Sequence, residues 1–317
     1  MFQRLEGQLQ QLPFSSNFEI PDFSVTAPGP AFLVSHLQIH GIINDGNNCC
    51  LLSLILSLHR IQLTQHLVSP RSMIRPNGDI DFASLVLVKV LRAMPSRQAF
   101  SVQSLISIWN DQNRGRFQIV ENDDIWSVSE NVLSSLRFRV RPNRPPFLTT
   151  FSAFFACSCG ATSDQDVWDS QLFQSVPLLQ IPQQDQPVCF GSLVNTFLQT
   201  PVTTRCFHCN EDTNGSLIPE KGEYSVFAIN RRGGQGQIRT KLVCQDSHTE
   251  GDQLLGELVS VISYLGGADG GHWISYHQVQ GDWFMNNDSD SIVRSPYHPF
   301  DSPNMFETVN LCLFSSM

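Results

Sequence analysis

The sequence lacks an apolar run long enough to cross a bilayer. The longest, Cys49 to Leu58, falls well short of the roughly 20 residues a spanning helix needs. The opening residues, MFQRLEGQLQQLPFSS, lack the apolar core of a secretory leader. Both absences predict a cytoplasmic or nuclear protein with no membrane partner, in a compartment where thiols stay reduced. An excess of positive charge is also missing. The formal net charge is −9, which repels nucleic-acid phosphate and leaves no nucleic-acid partner expected, while suiting basic ones. The chain contains no internal repeat and no low-complexity block. No serine sits in a G-x-S-x-G elbow, which removes one common hydrolase arrangement.

What is present is a globular composition. The chain has 317 residues, 41% of them hydrophobic, enough for one large domain or two to three subdomains. Nine cysteines is an odd number for a disulfide framework, and their spacing fits a metal site plus a reactive thiol better. Residues 1–40, with the stretch PDFSVTAPGP, read as an N-terminal extension. Helical patterns follow at 49–68, 81–94, 101–112 and 123–138. From about residue 151 the pattern changes to short β-type runs: FSAFFACSCG, VPLLQIP, YSVFAINR, TKLVCQ, GGHWISYHQV, DWFMNND, SIVRS and FETVNLCLF. The stretch GDQLLGELVSVISYL fits either state. A helical half followed by an antiparallel-sheet half predicts an α+β protein with a cleft between them.

Two close cysteine pairs stand out. Cys157 and Cys159 form C-x-C, followed by Gly160; Cys206 and Cys209 form C-x-x-C. Two tight turns of this kind can close a tetrahedron of thiolates around one zinc ion, a structural site because no position is left for water. Such an ion would hold together a β-rich projection with little core of its own. The plainer reading is four small buried residues.

A second constellation combines residues far apart in the chain. Cys49 follows a Gly/Asn-rich turn and opens an apolar helical run, and a helix start and a nearby imidazolium both favour a thiolate. His272 follows Gly270 and Gly271, which permit close backbone approach or positive φ. Trp283, Phe284 and Met285 read as the next strand of the same hairpin, ending in Asn286, Asn287 and Asp288. A hairpin brings that end beside His272, where an amide or carboxylate can orient the ring. Cysteine, histidine and Asn287 or Asp288 thus make a thiol-protease constellation. An unrelated buried cysteine and histidine are the alternative.

At these residues the chain resembles the ubiquitin-specific proteases. The first signature of that family corresponds to Gly41-Ile42-Ile43-Asn44-Asp45-Gly46-Asn47-Asn48-Cys49-Cys50-Leu51-Leu52-Ser53. The second corresponds to Gly271-His272-Trp273-Ile274-Ser275-Tyr276, then Trp283-Phe284-Met285-Asn286-Asn287-Asp288 and Val293. Between them lie the four cysteines, then Lys221 and the run YSVFAINRR, in the family's order. The resemblance implies a papain-like α+β fold over residues 41–317: a helical thumb (41–150), zinc-ribbon fingers (151–220) and a palm sheet (221–317). It implies Cys49 as nucleophile, His272 as general base, Asn287 as the third member, Asp288 as a supporting residue and Asn44 as an oxyanion donor. Cys157, Cys159, Cys206 and Cys209 become ligands of one structural zinc. Cys50, on another helical face, is a core residue.

The resemblance also implies a substrate: ubiquitin or a ubiquitin-like modifier and its conjugates, cleaved after Gly-Gly. Gly270, Gly271, Trp273 and Tyr276 would line the path of the tail. Asp124, with Asp123 beside it, stands where the family receives the basic tail of ubiquitin; both could instead cap a helix. Three positions depart from the family. Leu52 and Leu56 replace polar residues of the nucleophile helix, and Ser127 replaces a second acidic residue. The missing acid makes a SUMO-like modifier plausible as substrate. The competing expectation is a pseudo-protease that binds a modifier without cleaving it.

Overall fold

In the computed structural model, the described residues are 42–43, 48–60, 100–101, 106–107, 110, 124–135, 148–162, 176–233, 236–243, 255–267, 270–287, 293–304 and 307–315. All fall in the unit His36–Met317. Strand β1 (Ile42–Ile43) precedes helix α1 (Cys49–Arg60) and pairs in parallel with β2 (Phe100–Ser101). Helix α2 (Ile125–Ser135) is followed by β3 (Thr150–Phe155), β4 (Leu178–Gln180), β5 (Val188–Cys189), helix α3 (Phe190–Gln199), β6 (Val202–Arg205), β7 (Asp212–Glu220) and β8 (Tyr224–Asn230). The remainder is strand-rich: β9 (Arg232–Gly233), β10 (Gly236–Gln237), β11 (Leu242–Val243), β12 (Glu257–Gly267), β13 (Gly270–Val279), β14 (Asp282–Asn286), β15 (Val293–Arg294), a 3-10 turn at Pro299–Asp301 and β16 (Glu307–Ser315). The protein is α+β and sheet-rich, with few helices among the described residues. None of those helices is long and apolar enough to cross a membrane.

The helical pattern over 49–68 forms a helix through Arg60 and that over 123–138 forms one over 125–135; 61–68 and 81–94 lie outside the described residues. Of the expected helix 101–112, Ser101 is in a strand, and Ile106, Ser107 and Asn110 are helical. The ambiguous stretch 251–265 resolves as strand β12 from Glu257, because it is hydrogen-bonded on both sides, by β13 and β16; residues 251–254 lie outside the described residues.

A seven-stranded sheet in the order β15-β14-β13-β12-β16-β8-β4 forms the centre. Its pairs are antiparallel except β4–β8. The continuous apolar runs of β8 and β16 are buried at nearly every position, as expected of strands covered on both faces. Val261, Tyr276, Cys312 and Phe227 are paired in register and share one face. They join Phe151, Phe190, Val194 and Phe314 in one core cluster, with Phe190 packing on Phe227 and Phe314. Ser260, Ser275 and His277 lie on the other face by strand alternation, toward α1.

Helix α1 is apolar on all sides and buried from Cys50 to His59, which makes it a core helix rather than a surface one. Leu52 and Leu56 are packed in the core. Ser57 donates to the Ser53 carbonyl at 2.9 Å and accepts from Ser260 at 2.9 Å. Ser260 also meets His277 Nδ1 at 3.1 Å, and Ser275 meets His277 Nε2 at 3.1 Å. This buried chain of hydroxyls and imidazole ties α1 to β12 and β13. His277→Leu removes one partner from each of two buried hydroxyls, while Ser260 keeps Ser57 and the Tyr276 carbonyl, so urea unfolding is expected to show a loss of about 1 kcal/mol.

A smaller sheet, β3-β7-β6, carries both cysteine knuckles. Not all of 151–220 lies in this sheet. That segment also contains β4, which pairs with β8 in the large sheet, and α3, whose Phe190, Leu193 and Val194 sit in the main core. The helix was missed because it directly follows a strand; apolar residues at 190, 193, 194 and 197 were the available signal.

Candidate active site and thiol cluster

Cys49 begins α1, whose first turn closes with Leu52 N–H donating to the Asn48 carbonyl at 3.0 Å. The helix packs along β13 and β12, and this brings the Cys49 sulfur 3.5 Å from the backbone nitrogen of Trp273. The neighbouring residue is His272. Its Nε2 lies 2.6 Å from Asn287 Oδ1. The hairpin explains that reach: Ser275 pairs with Asn286, so Asn287 is the first residue past the paired end of β14, on the side of His272. An amide oxygen only accepts, so Nε2 carries the proton and Nδ1 is the nitrogen that exchanges one. Three residues separated by more than two hundred positions are thereby gathered at one end of β13. Of the two candidates for orienting the ring, Asn287 is in contact with it; Asp288 lies outside the described residues.

Tyr264 belongs to the same wall. Its ring packs against Trp273 at a 60° tilt, with centroids 5.0 Å apart. Burial first, and then the nearby Cys49 charge, raise its phenol pKa. A Cβ on Gly271 would come within 2.5 Å of the Tyr264 hydroxyl, so glycine there is required by close approach. Gly270 has φ +137° with open space around it. No motif pointed to Tyr264; only its pairing opposite Trp273 in the β12–β13 ladder places it here.

Other expected site residues fall differently. Asn44, Asp123 and Asp288 lie outside the described residues. Trp273 is half-buried beside the cysteine. Tyr276 is fully buried in the main core, so it cannot line a path for substrate. Burial raises its phenol pKa and it stays neutral. The period of two along β13 is the reason: Tyr276 points with Ile274 into the sheet's packed face. Asp124 caps α2. Its Oδ1 accepts from Ser127 N at 3.0 Å and its Oδ2 from Ser127 Oγ at 3.0 Å and from Arg232 at 2.9 Å.

The four knuckle cysteines converge. Cys157 and Cys209 sulfurs are 3.4 Å apart, Cys159 and Cys206 sulfurs 3.6 Å apart, and all four lie within 4.8 Å of one another. Thiolates at zinc–sulfur distances of roughly 2.3 Å would sit about 3.8 Å apart in a tetrahedron, so the cluster fits a metal ion such as zinc. The turns are built for it. Gly160 at φ +89° and Asn210 at φ +61° reverse the chain after each pair. Their N–H groups donate to the carbonyls of Cys157 and Cys206, each at about 2.9 Å or less. The backbone N–H of Cys159 lowers the Cys157 thiol to about 6. The N–H of Glu211 favours the Cys209 thiolate as well, but side-chain hydrogen bonding with Cys157 and the other knuckle thiols, together with burial, outweighs it and pushes Cys209 up to about 12. Four thiols this close cannot share several negative charges without a cation among them.

No protein-family model matches the chain, and no curated protein matches it.

Proposed function

We propose that this chain is a thiol hydrolase akin to the ubiquitin-specific proteases, cleaving peptide or isopeptide bonds after the C-terminal Gly-Gly of ubiquitin or a ubiquitin-like modifier. The observation that carries the reading is the convergence at β13: Cys49 sulfur 3.5 Å from Trp273 N, and the adjacent His272 held by Asn287 at 2.6 Å. In this reading the fold is papain-like. The helices form the thumb, β3-β7-β6 the zinc-ribbon fingers and the seven-stranded sheet the palm.

Cys49 gives its proton to Nδ1 of His272, and the thiolate attacks the carbonyl carbon of the terminal glycine. The carbonyl oxygen becomes an oxyanion, held by N–H groups of the first turn of α1 and by Asn44. Collapse breaks the C–N bond as the imidazolium returns its proton to the leaving lysine amine. Water, deprotonated by His272, then attacks the thioester and frees the modifier and Cys49. Asn287 keeps the imidazole in one tautomer through both halves. The narrow approach between Gly271 and Tyr264 favours a tail of glycines. A zinc ion held by Cys157, Cys159, Cys206 and Cys209 would supply structure and no chemistry. The site of action is cytoplasmic or nuclear.

Fluorogenic C-terminal amides of ubiquitin and SUMO test the reading. Wild type is expected to cleave at least one. Asn287→Ala is expected to lower kcat/KM on it by about 10²-fold, mostly through kcat. A wild-type chain that cleaves neither, and whose Cys49 is not labelled by modifiers ending in a glycine electrophile, overturns it.

A further inference from the structure

Asp124 is the acidic residue that the resemblance to the ubiquitin-specific proteases would set beside the incoming tail, yet the protein itself occupies that carboxylate. Ser127 takes both oxygens through its N–H and its hydroxyl, each at 3.0 Å. Arg232 adds a charged bond at 2.9 Å. The arginine is not a wandering surface side chain at its root. Its neighbour Arg231 is buried and donates to the carbonyls of Val309, Ile238 and Thr240 at 2.7, 3.1 and 2.9 Å. Gln237, opposite Arg232 in the β9–β10 pair, donates to Thr308 at 2.8 Å. At the far end, Arg239 donates to the Gly266 carbonyl at 3.0 Å, and Gly266 pairs with Gly271, next to His272. Arg232 thus bonds at the N-terminus of α2, and Arg239 bonds at the end of β12 that pairs with β13 beside His272.

The electrostatic result is a reversal of sign. The Arg232 side chain is 80% exposed and the Asp124 side chain 31%, so the pair turns a cation outward. A basic residue in a passing tail would have to break the ion pair and would face the guanidinium. A neutral residue displaces nothing, and an acidic one is attracted.

We propose that Arg232 is a specificity-determining residue that, with Ser127, takes Asp124 out of use and selects modifier tails with no basic residue ahead of Gly-Gly. The proposal rests on the reading that the chain binds such modifiers, but not on its being an active hydrolase.

The test is binding to the Cys49→Ala chain of ubiquitin and of SUMO, each prepared with either two arginines or two glutamines ahead of Gly-Gly. The glutamine forms are expected to bind about two- to fivefold tighter, the scale of one partly exposed charge contact. Adding Arg232→Ala, a change at an exposed side chain, is expected to erase or reverse that preference by freeing Asp124. Adding Asp124→Asn to Arg232→Ala should leave the two tails equal. Equal binding of both tails to the parent, a parent preference for arginine, or a preference that survives Arg232→Ala overturns the proposal alone. Failure of all four ligands to bind overturns the modifier-binding reading as well. Selective binding without cleavage by wild type leaves the proposal standing and removes the hydrolase.

Discussion

Replacing Cys49 with alanine is expected to abolish hydrolysis, by at least about 10⁴-fold in kcat/KM, while leaving the fold intact. The two halves of that expectation have separate causes. In the proposed mechanism, alanine removes the atom that would form the acyl intermediate, and no described serine or second thiol stands in its place. Cys50, the adjacent thiol, is buried in the core. Structurally, Cys49 is half-buried at the first turn of α1, where alanine is a strong helix former and only a small side chain is lost. A stability change within about 1 kcal/mol is therefore expected. Purified variant and wild type should be compared by steady-state assay on the same fluorogenic amide and by thermal unfolding. Residual activity above a hundredth of wild type would remove Cys49 from the mechanism. Loss of activity accompanied by global unfolding would show that the residue's role is in packing.

Replacing one of the four clustered cysteines, or chelating the metal they are proposed to hold, is expected to unfold the small sheet and spare the large one. The sheet β3-β7-β6 has a core of only Ala153, Phe155, Cys157, Ala161 and Cys206, flanked by Val202 and Leu217. Two of these five are knuckle cysteines. Such a core cannot offset the chain entropy of ordering three strands, whereas binding zinc to four thiolates contributes roughly 10 kcal/mol or more. The purified chain should contain one zinc per molecule. Chelation, or Cys206→Ser, is expected to expose the segments around residues 150–162 and 200–220 to proteolysis. The seven-stranded sheet, with its own aromatic core, should keep most of the far-ultraviolet signal. The pH dependence has a definite sign. Only the Cys157 thiol is lowered, to about 6, while Cys209 is pushed up to about 12, so metal entry at neutral pH must expel protons. Affinity therefore rises with pH, and acidification releases the metal as protons regain the sulfurs. A chain that holds no zinc, or whose small sheet survives chelation unchanged, would make the cluster four packed thiols.

Much of this architecture was legible one residue type at a time. The alternation in GGHWISYHQV and the apolar run FETVNLCLF mark strands, because side chains in a strand repeat every two residues. The cysteine pairs mark a cluster because only tight turns can aim neighbouring thiols at one point. The helix α3 was harder. Its apolar positions recur correctly, but the preceding residues Val188 and Cys189 form a strand, and local pattern does not say where one period gives way to the other. Tyr276 shows the limit within a strand. Its place in a motif marks it for function, but which face of β13 meets the core depends on pairing with β12 and β14.

The amino-acid order by itself determined the chemistry available: a thiol at a helix start, an imidazole opening a hairpin whose far end carries an amide, and four cysteines in two turns. These depend on identity and on spacing along the backbone, which a sequence contains in full. Only the tertiary structure decided that Asp124 is already spoken for by Ser127 and by Arg232, 108 positions away. It also decided that Tyr264 walls the site while Tyr276 is sealed in the core. Electrostatic pairing and burial act through space, so the charge a cleft presents is set by neighbours that the linear chain keeps apart.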